Sequence, residues 1–257
     1  MKDNKWLMIG TDQRLATCCD ILTAKGYRCQ HIATNDYSEQ LGEVIAEWSP
    51  KYIIFPIQQM KGTIPPTLLA KGTELYTGVA SAEWLKPFKD AGLQVRSYVK
   101  DESFIWHNAL LTAEAFVHEY YARVKRQLLG NHFHVAGFGK VGKMTAHVLA
   151  SLGSEVTVVA RSITQLSEAT ALGYKTEQLT ADFDMTEGNL VNTIPAKWLA
   201  VNGNPHLHVF DLASAPGCLK EPLSPEYYTV LLGLPGKHFP IDAAIVLANA
   251  VEGMSKE

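Results

Sequence analysis

The segment FHVAGFGKVGKMTAHVLASLGSEVTVVARS, residues 133–162, constrains the fold more than any other stretch of the chain. A short apolar run, His134-Val135-Ala136, leads into Gly137, Gly139 and Gly142 at the spacing G-x-G-x-x-G. Apolar residues then recur at helical spacing through Met144, Val148 and Leu149, and a β-branched run follows from Glu155 to Val159. Three such glycines alone are weak evidence; strand, loop, helix and second strand in this order make one βαβ unit. Each glycine has a physical reason: Gly137 for the tight turn, Gly139 for close approach of phosphate oxygens to the backbone, Gly142 for close packing of helix on strand. The helix N-terminus adds N–H donors and the positive end of its dipole. The unit reads as a dinucleotide site, with Phe138, Lys140 and Val141 completing the loop. The second strand ends Arg161-Ser162, where a site for NAD usually carries Asp or Glu on the ribose 2′-hydroxyl. A carboxylate would repel a 2′-phosphate, whereas an arginine binds one through two N–H groups and a serine adds a hydrogen bond. The pair favours NADP, with NAD still possible; the plainer reading of Arg161 is a solvated strand end.

The same rhythm runs through the rest of the chain. WLMIG, YRCQHIA, YIIFPI, ELYTGVAS and LQVRSYV read as strands, with helical patterns between most of them. Residues 1–104 are expected to form a flavodoxin- or Rossmann-like parallel α/β sheet covered on both faces. From Ser103 no Pro or Gly interrupts the chain until Gly130, and apolar residues recur at Leu110, Ala113, Val117, Tyr121, Val124 and Leu128. This predicts a connecting helix over 103–129, about 40 Å long at 1.5 Å per residue, with Ser103 as N-cap and Gly130 just past its end. Residues 105–236 are expected to form the Rossmann domain, and 237–257 a last helix packing back toward the N-terminal domain.

The 257 residues carry a net charge of −3 without an acidic or basic block, which argues against nucleic acid or an anionic membrane surface as partner. No apolar run is long enough to span a bilayer, and MKDNKWLMIG lacks the form of a signal peptide. Cys18, Cys19, Cys29 and Cys218 form no C-x-x-C pair and read as reduced thiols of a cytoplasmic protein.

Three further segments, NTIP (192–195), DLASAPG (211–217) and GLPGKHFP (233–240), join the glycine loop and the ARS strand end in a pattern that resembles the A subunit of dipicolinate synthase. IGTDQR (9–14) is similar to that family's opening I-G-G-D-x-R, and NALLTAEA (108–115) to its N-x-x-P-T-x-E-G segment. The chain departs from the pattern at Leu111, Ala115, Cys218 and Asp242. The resemblance implies a two-domain, NADP-linked oxidoreductase of spore-forming bacteria that oxidises dihydrodipicolinate to dipicolinate and has a flavoprotein-like B chain for its partner. Self-association as a homo-oligomer stays open.

A dicarboxylate substrate needs cationic or N–H partners. Arg14 follows Asp12 at the carboxyl end of the first strand, where open α/β sheets bind ligands; the competing reading is a surface arginine on a helix's first turn. Lys237, with Leu234, Pro235 and Gly236, stands in a glycine- and proline-rich stretch that fixes a backbone path close to a ligand; the competing reading is a plain loop. Arg14, Lys237 and Asp211 are the candidate catalytic residues. Asn192, Thr193, Ile194, Pro195 and Ser214 are expected beside the cofactor, although caps and turns use these residue types too. Asn108 and Thr112 share a helix face and Glu114 does not; the resemblance implies that all three line the cleft between domains. His132 with His134, and His206 with His208, each share a strand face but have no metal-site motif around them. His107 and His238 are acid/base candidates by position alone. Two other functions compete: a 2-hydroxy-acid dehydrogenase, and a dinucleotide sensor without catalysis.

Overall fold

Strand β1 (Lys2–Ile9) carries an unbroken run of fully buried residues, with Trp6, Leu7, Met8 and Ile9 each at 0% exposure. A strand apolar on both faces belongs in the middle of a covered parallel sheet. In the structure, a computed structural model that describes residues 2–183, 185, 187–201, 206–221 and 226–256, β1 lies inside the sheet, with a paired strand on each side. It is followed by α1 (Gln13–Ala24), β2 (Tyr27–Ile32), α2 (Glu39–Trp48), β3 (Tyr52–Ile54), β4 (Glu74–Thr77), α3 (Ala82–Asp90) and β5 (Gln94–Ser97). The strands are parallel in the order β2-β1-β3-β4-β5, that of flavodoxin-like sheets. Period-two alternation divides the core. Leu7, Ile9, Ile53 and Leu75 face Leu41 and Ile45 of α2 and Trp84 and Phe88 of α3.

Helix α4 (Glu102–Val124) has 23 residues, about 35 Å at 1.5 Å per residue. Its ends differ from the sequence expectation. The cap is Asp101, whose carboxylate accepts from the Phe104 N–H at 2.8 Å and the Ser103 hydroxyl at 2.6 Å, so Ser103 lies inside the helix. The helix stops at Val124 because Lys125 turns left-handed (φ 56°); Gly130, also at positive φ, belongs to a later turn.

After α4 come β6 (His132–Ala136), α5 (Lys140–Ser151), β7 (Glu155–Ala160), α6 (Ile163–Ala171), β8 (Lys175–Gln178), β9 (Gly188–Asn192), β10 (Leu207–Asp211), β11 (Tyr228–Val230) and α7 (Leu234–His238). The second sheet is also parallel, in the order β11-β10-β9-β6-β7-β8. Counted from β6 this is 3-2-1-4-5-6 read from the β8 edge, the order of dinucleotide-binding sheets. The edge strands β8 and β11 carry no sequence signal: every residue of β8 is exposed, and β11 has three residues. The chain ends in α8 (Pro240–Met254).

Two units result. One is Met1–Asn108 together with Phe239–Glu257, and the other is Ala109–His238. Within the first, Leu247 and Val251 of α8 join Leu15, Cys18 and Leu22 of α1 over Trp6, Met8, Tyr52 and Tyr76. Glu252 fixes the register of α8, accepting from Lys25 at 2.7 Å and from the Tyr27 hydroxyl at 3.0 Å.

Candidate functional site

In the second unit the chain passes from β6 to one side of the sheet and from β9 to the other, which opens a crevice at their carboxyl ends. Gly137 (φ +91°) and Gly142 shape it. A Cβ on Gly137 would come within 2.6 Å of Thr193 Oγ1, and one on Gly142 within 2.1 Å of the Gly137 carbonyl oxygen. The fold itself therefore needs both glycines. Gly139 differs: its φ is −77°, and a Cβ there would meet no atom of the described residues within 4 Å. Among the described residues no packing contact requires glycine at 139, whereas a phosphate lying on the backbone would.

The cleft beside the glycine loop is lined by Gly137, Phe138 and Gly139, by Arg161, Ser162 and Gln165, and by Thr193, Ile194 and Pro195. The structure thus brings together most of the residues expected at the cofactor. Ser162 Oγ caps α6 by accepting from the Gln165 N–H at 3.4 Å. Arg161 is exposed and makes no ion pair among the described residues, so its guanidinium is available to an anion. Lys140 begins α5, and Val141 is half-buried on its first turn. Gln165 lay outside the motifs and enters through the turn of α6 that follows Arg161.

Asn192 and Asp211 end β9 and β10 and are both fully buried. Asn192 Nδ2 donates to Asp211 Oδ1 at 2.8 Å and to the Ile194 carbonyl at 3.0 Å. Its Oδ1 accepts from the Ile194 N–H and from Trp198 Nε1, both at 3.1 Å. Asp211 Oδ1 also accepts from the Ala213 N–H at 3.0 Å, and Oδ2 accepts from the Cys218 N–H at 2.8 Å and the Tyr228 hydroxyl at 2.5 Å. Both carboxylate oxygens are spent on donors of the fold. Asp211, expected among the catalytic groups, is fully buried, and through these bonds it joins the loops after β9 and β10. What reaches the cleft from this network is Thr193, whose hydroxyl donates to the Ala136 carbonyl at 2.8 Å, and Ile194. Ser214 is exposed, in the turn closed by the Gly217 N–H on its carbonyl at 3.3 Å.

GLPGK is not a plain loop. Leu234–His238 forms α7, with Leu234 and Pro235 buried and Gly236 half-buried; proline at an early helical position costs no backbone hydrogen bond. Lys237 and His238 turn toward Glu119 of α4, which sequence reading passed over. Glu119 is only 5% exposed. Oε1 accepts from the Lys237 ammonium and from His238 Nε2 (2.7 Å), and Oε2 accepts from Arg123 Nε at 2.8 Å. Burial alone would raise this carboxyl, but the donors from Lys237, Arg123 and His238 outweigh it and hold it at about 2. Lys237 is therefore already neutralised by a carboxylate of its own unit.

In the first unit, Asp12 caps α1 by accepting from the Arg14 N–H at 2.9 Å. Its two oxygens also take Arg14 Nε (2.9 Å) and the second guanidinium nitrogen (2.5 Å). Burial pushes the Asp12 carboxyl up, and these bonds from Arg14 more than reverse it, leaving it below the usual range. Both residues line a crevice at the carboxyl ends of β1 and β3 with Thr11, Asn35, Gln58 and Lys61. On α4, Asn108 is half-buried, Thr112 buried and Glu114 exposed.

The histidine rings of His132 and His134 lie 4.5 Å apart, and burial with the neighbouring His132 lowers His134 to about 4. Among the described residues no three His, Cys, Asp or Glu side chains are grouped to hold a metal, and no helix is long and apolar enough to cross a membrane.

No family model matches the chain. The A subunit of dipicolinate synthase from Bacillus subtilis is 28% identical over 183 residues, 63% of this chain and 58% of that relative, so the match spans less than two thirds of the relative's length. The crystal structure of the dipicolinate synthase A chain from Bacillus subtilis superposes with a TM-score of 0.79 at 20% identity, covering 100% of this chain and 97% of that one. The chain resembles the A subunit of dipicolinate synthase. The fold reaches further: D-lactate dehydrogenase from Escherichia coli matches with a TM-score of 0.62 at 11% identity, over 97% of this chain and 96% of that one. Two parallel α/β domains of the type found in these two proteins are thus the architecture of this chain.

Proposed function

We propose that the chain is an NADP-linked oxidoreductase that oxidises a dihydropyridine-2,6-dicarboxylate to the aromatic dicarboxylate. The observation that carries the reading is the cradle: a loop whose middle glycine is demanded by no contact among the described residues, beside an exposed arginine at the end of β7. Gly137, Gly139 and the first turn of α5 would hold the pyrophosphate, and Arg161, Ser162 and Gln165 the 2′-phosphate. Thr193 and Ile194, fixed by Asn192 and Asp211, would support the cofactor's nicotinamide half. When bound, the nicotinamide supplies the hydride acceptor. The ring substrate loses a hydride to it and a proton to water or a base, and becomes aromatic. The protein's part is placement and recognition of carboxylates. The likeness to one named component of a synthase supports a partner chain of a different kind.

One observation favours a second reading. Glu119 and His238 form a carboxylate–imidazole pair, the kind of group that accepts the proton when a hydroxy acid is oxidised. An assay separates the two. Freshly generated dihydrodipicolinate, supplied with NADP+ or NAD+, should raise the reduced-nicotinamide absorbance with the purified chain, alone or with the partner chain. Turnover of a 2-hydroxy acid in its place supports the second reading, and binding of NADPH without either turnover leaves a sensor.

A further inference from the structure

We infer that the crevice at the carboxyl ends of β1 and β3 is a carboxylate-binding site whose two cations are Arg14 and Lys61, not Arg14 and Lys237. The inference deepens the proposed function, on which its choice of a dicarboxylate rests.

Topology supplies the place. In the order β2-β1-β3-β4-β5 the crossovers diverge between β1 and β3, and ligands of open α/β sheets bind where they do. Chemistry supplies the sign. The one acid among the described lining residues, Asp12, has both oxygens occupied by Arg14, which leaves one guanidinium nitrogen with no hydrogen bond to a described residue. Arg14 is held rigidly and 15% exposed, so its remaining N–H groups are aimed at little cost in side-chain entropy. Lys61 is exposed and has no ion pair among the described residues, so the crevice carries one net positive charge. Its backbone is fixed while its side chain is uncommitted: the Lys61 N–H donates to the Asn35 carbonyl and its carbonyl accepts from the Tyr37 N–H, both at 2.9 Å. Asn35 and Thr11 close the rim. Asn35 Nδ2 donates to Thr11 Oγ1 at 2.6 Å, which leaves the Thr11 O–H to donate elsewhere. A rigid arginine fork, a mobile ammonium and a hydroxyl donor suit a dicarboxylate: one carboxylate on the fork, the other on the ammonium. Lys237, the cation that sequence motifs favour, is already paired with Glu119.

Calorimetric titration of the full chain tests this with pyridine-2,6-dicarboxylate, pyridine-2-carboxylate, malonate and inorganic phosphate as probes. The wild type should bind the pyridine dicarboxylate. Lys61→Gln should weaken it about tenfold or more while changing the monocarboxylate by less than about twofold, and Lys61→Arg should restore most of the loss. Equal affinity in Lys61→Gln, or a loss in Lys237→Gln with none in Lys61→Gln, overturns the assignment while leaving dihydrodipicolinate oxidation standing. Lys61-dependent binding of malonate without binding of the pyridine dicarboxylate supports the crevice and removes that substrate. Phosphate binding as tight as any dicarboxylate makes it a general anion site and overturns the carboxylate assignment, and no binding of any probe overturns both. Melting curves check that each variant is folded; Lys61, exposed on a loop, can be changed without a core vacancy.

Discussion

Replacing Gly139 with alanine separates what the glycine loop does for the fold from what it does for a ligand. Gly139 sits at φ −77°, ψ −171°, a conformation open to any L-residue, and an added Cβ meets no atom of the described residues within 4 Å. The variant loses no packing. Restricting the unfolded chain stabilises it by about 0.4–1 kcal/mol. Alanine is a poorer N-cap than glycine by a similar amount, and residue 139 is the N-cap of α5. The two nearly cancel, so the melting temperature should stay within about 3 °C of wild type. The ligand feels the change fully. The methyl occupies the approach of the phosphate oxygens, and losing one charge-assisted N–H bond at about 1.5–3 kcal/mol weakens binding roughly 10- to 100-fold. Gly142→Ala is the contrast: with the Gly137 carbonyl oxygen 2.1 Å from the new Cβ, the loop must shift before any ligand is present. That overpacking should cost about 1–3 kcal/mol or more and lower the melting temperature by several degrees. Differential scanning fluorimetry and calorimetric titration with NADP+ read both quantities. A Gly139→Ala protein that binds NADP+ like the wild type refutes the cradle, and one that melts early refutes the division of labour.

Arg161→Ala should weaken NADP(H) by about 10- to 100-fold, the worth of a charge-assisted contact, and change NAD(H) less than about twofold; equal losses in titrations of both would remove the 2′-phosphate contact. Glu119 gives a pH signature. Its carboxyl is held at about 2 against an ordinary 4.5, so its stabilisation is complete above about pH 4.5 and is lost as the pH falls through about 2. Urea unfolding at pH 5 and pH 2.5 should cost the wild type about 2–3 kcal/mol more than Glu119→Gln, and parallel losses would deny the carboxylate this role. Asp211→Asn turns an amide donor onto groups that are themselves donors and should cost about 2–4 kcal/mol, whereas Tyr228→Phe removes one bond and should cost about 1–2 kcal/mol; chemical denaturation that reverses this order would contradict the network.

The β6–α5–β7 unit was legible because its signals are local: apolar and β-branched strand runs, glycines at fixed spacing and helical periodicity all fall within thirty residues. The end of α4 was not, since Lys125 leaves the helix with no Pro or Gly to announce it. Edge strand β8 buries nothing and pairs with β7 on one side alone, so its pattern is indistinguishable from a polar loop. Polar residues at strand ends posed a different problem. Asp211 and Thr193 both look like site residues in one dimension, but the partners that exhaust Asp211 come from residues 192, 213, 218 and 228. Glu119 was missed for the same reason: it meets Lys237 and His238 more than a hundred residues along the chain. Lys61 belongs to no motif, and only the strand order places it beside Arg14.

The most direct test of the central claim is calorimetric titration of the unmodified chain with NADP+ and, separately, NAD+. Saturable binding of NADP+ at one site per chain, tighter than that of NAD+, is the result expected from the cradle and Arg161. Absence of heat with both nucleotides, or a clear preference for NAD+, would contradict it.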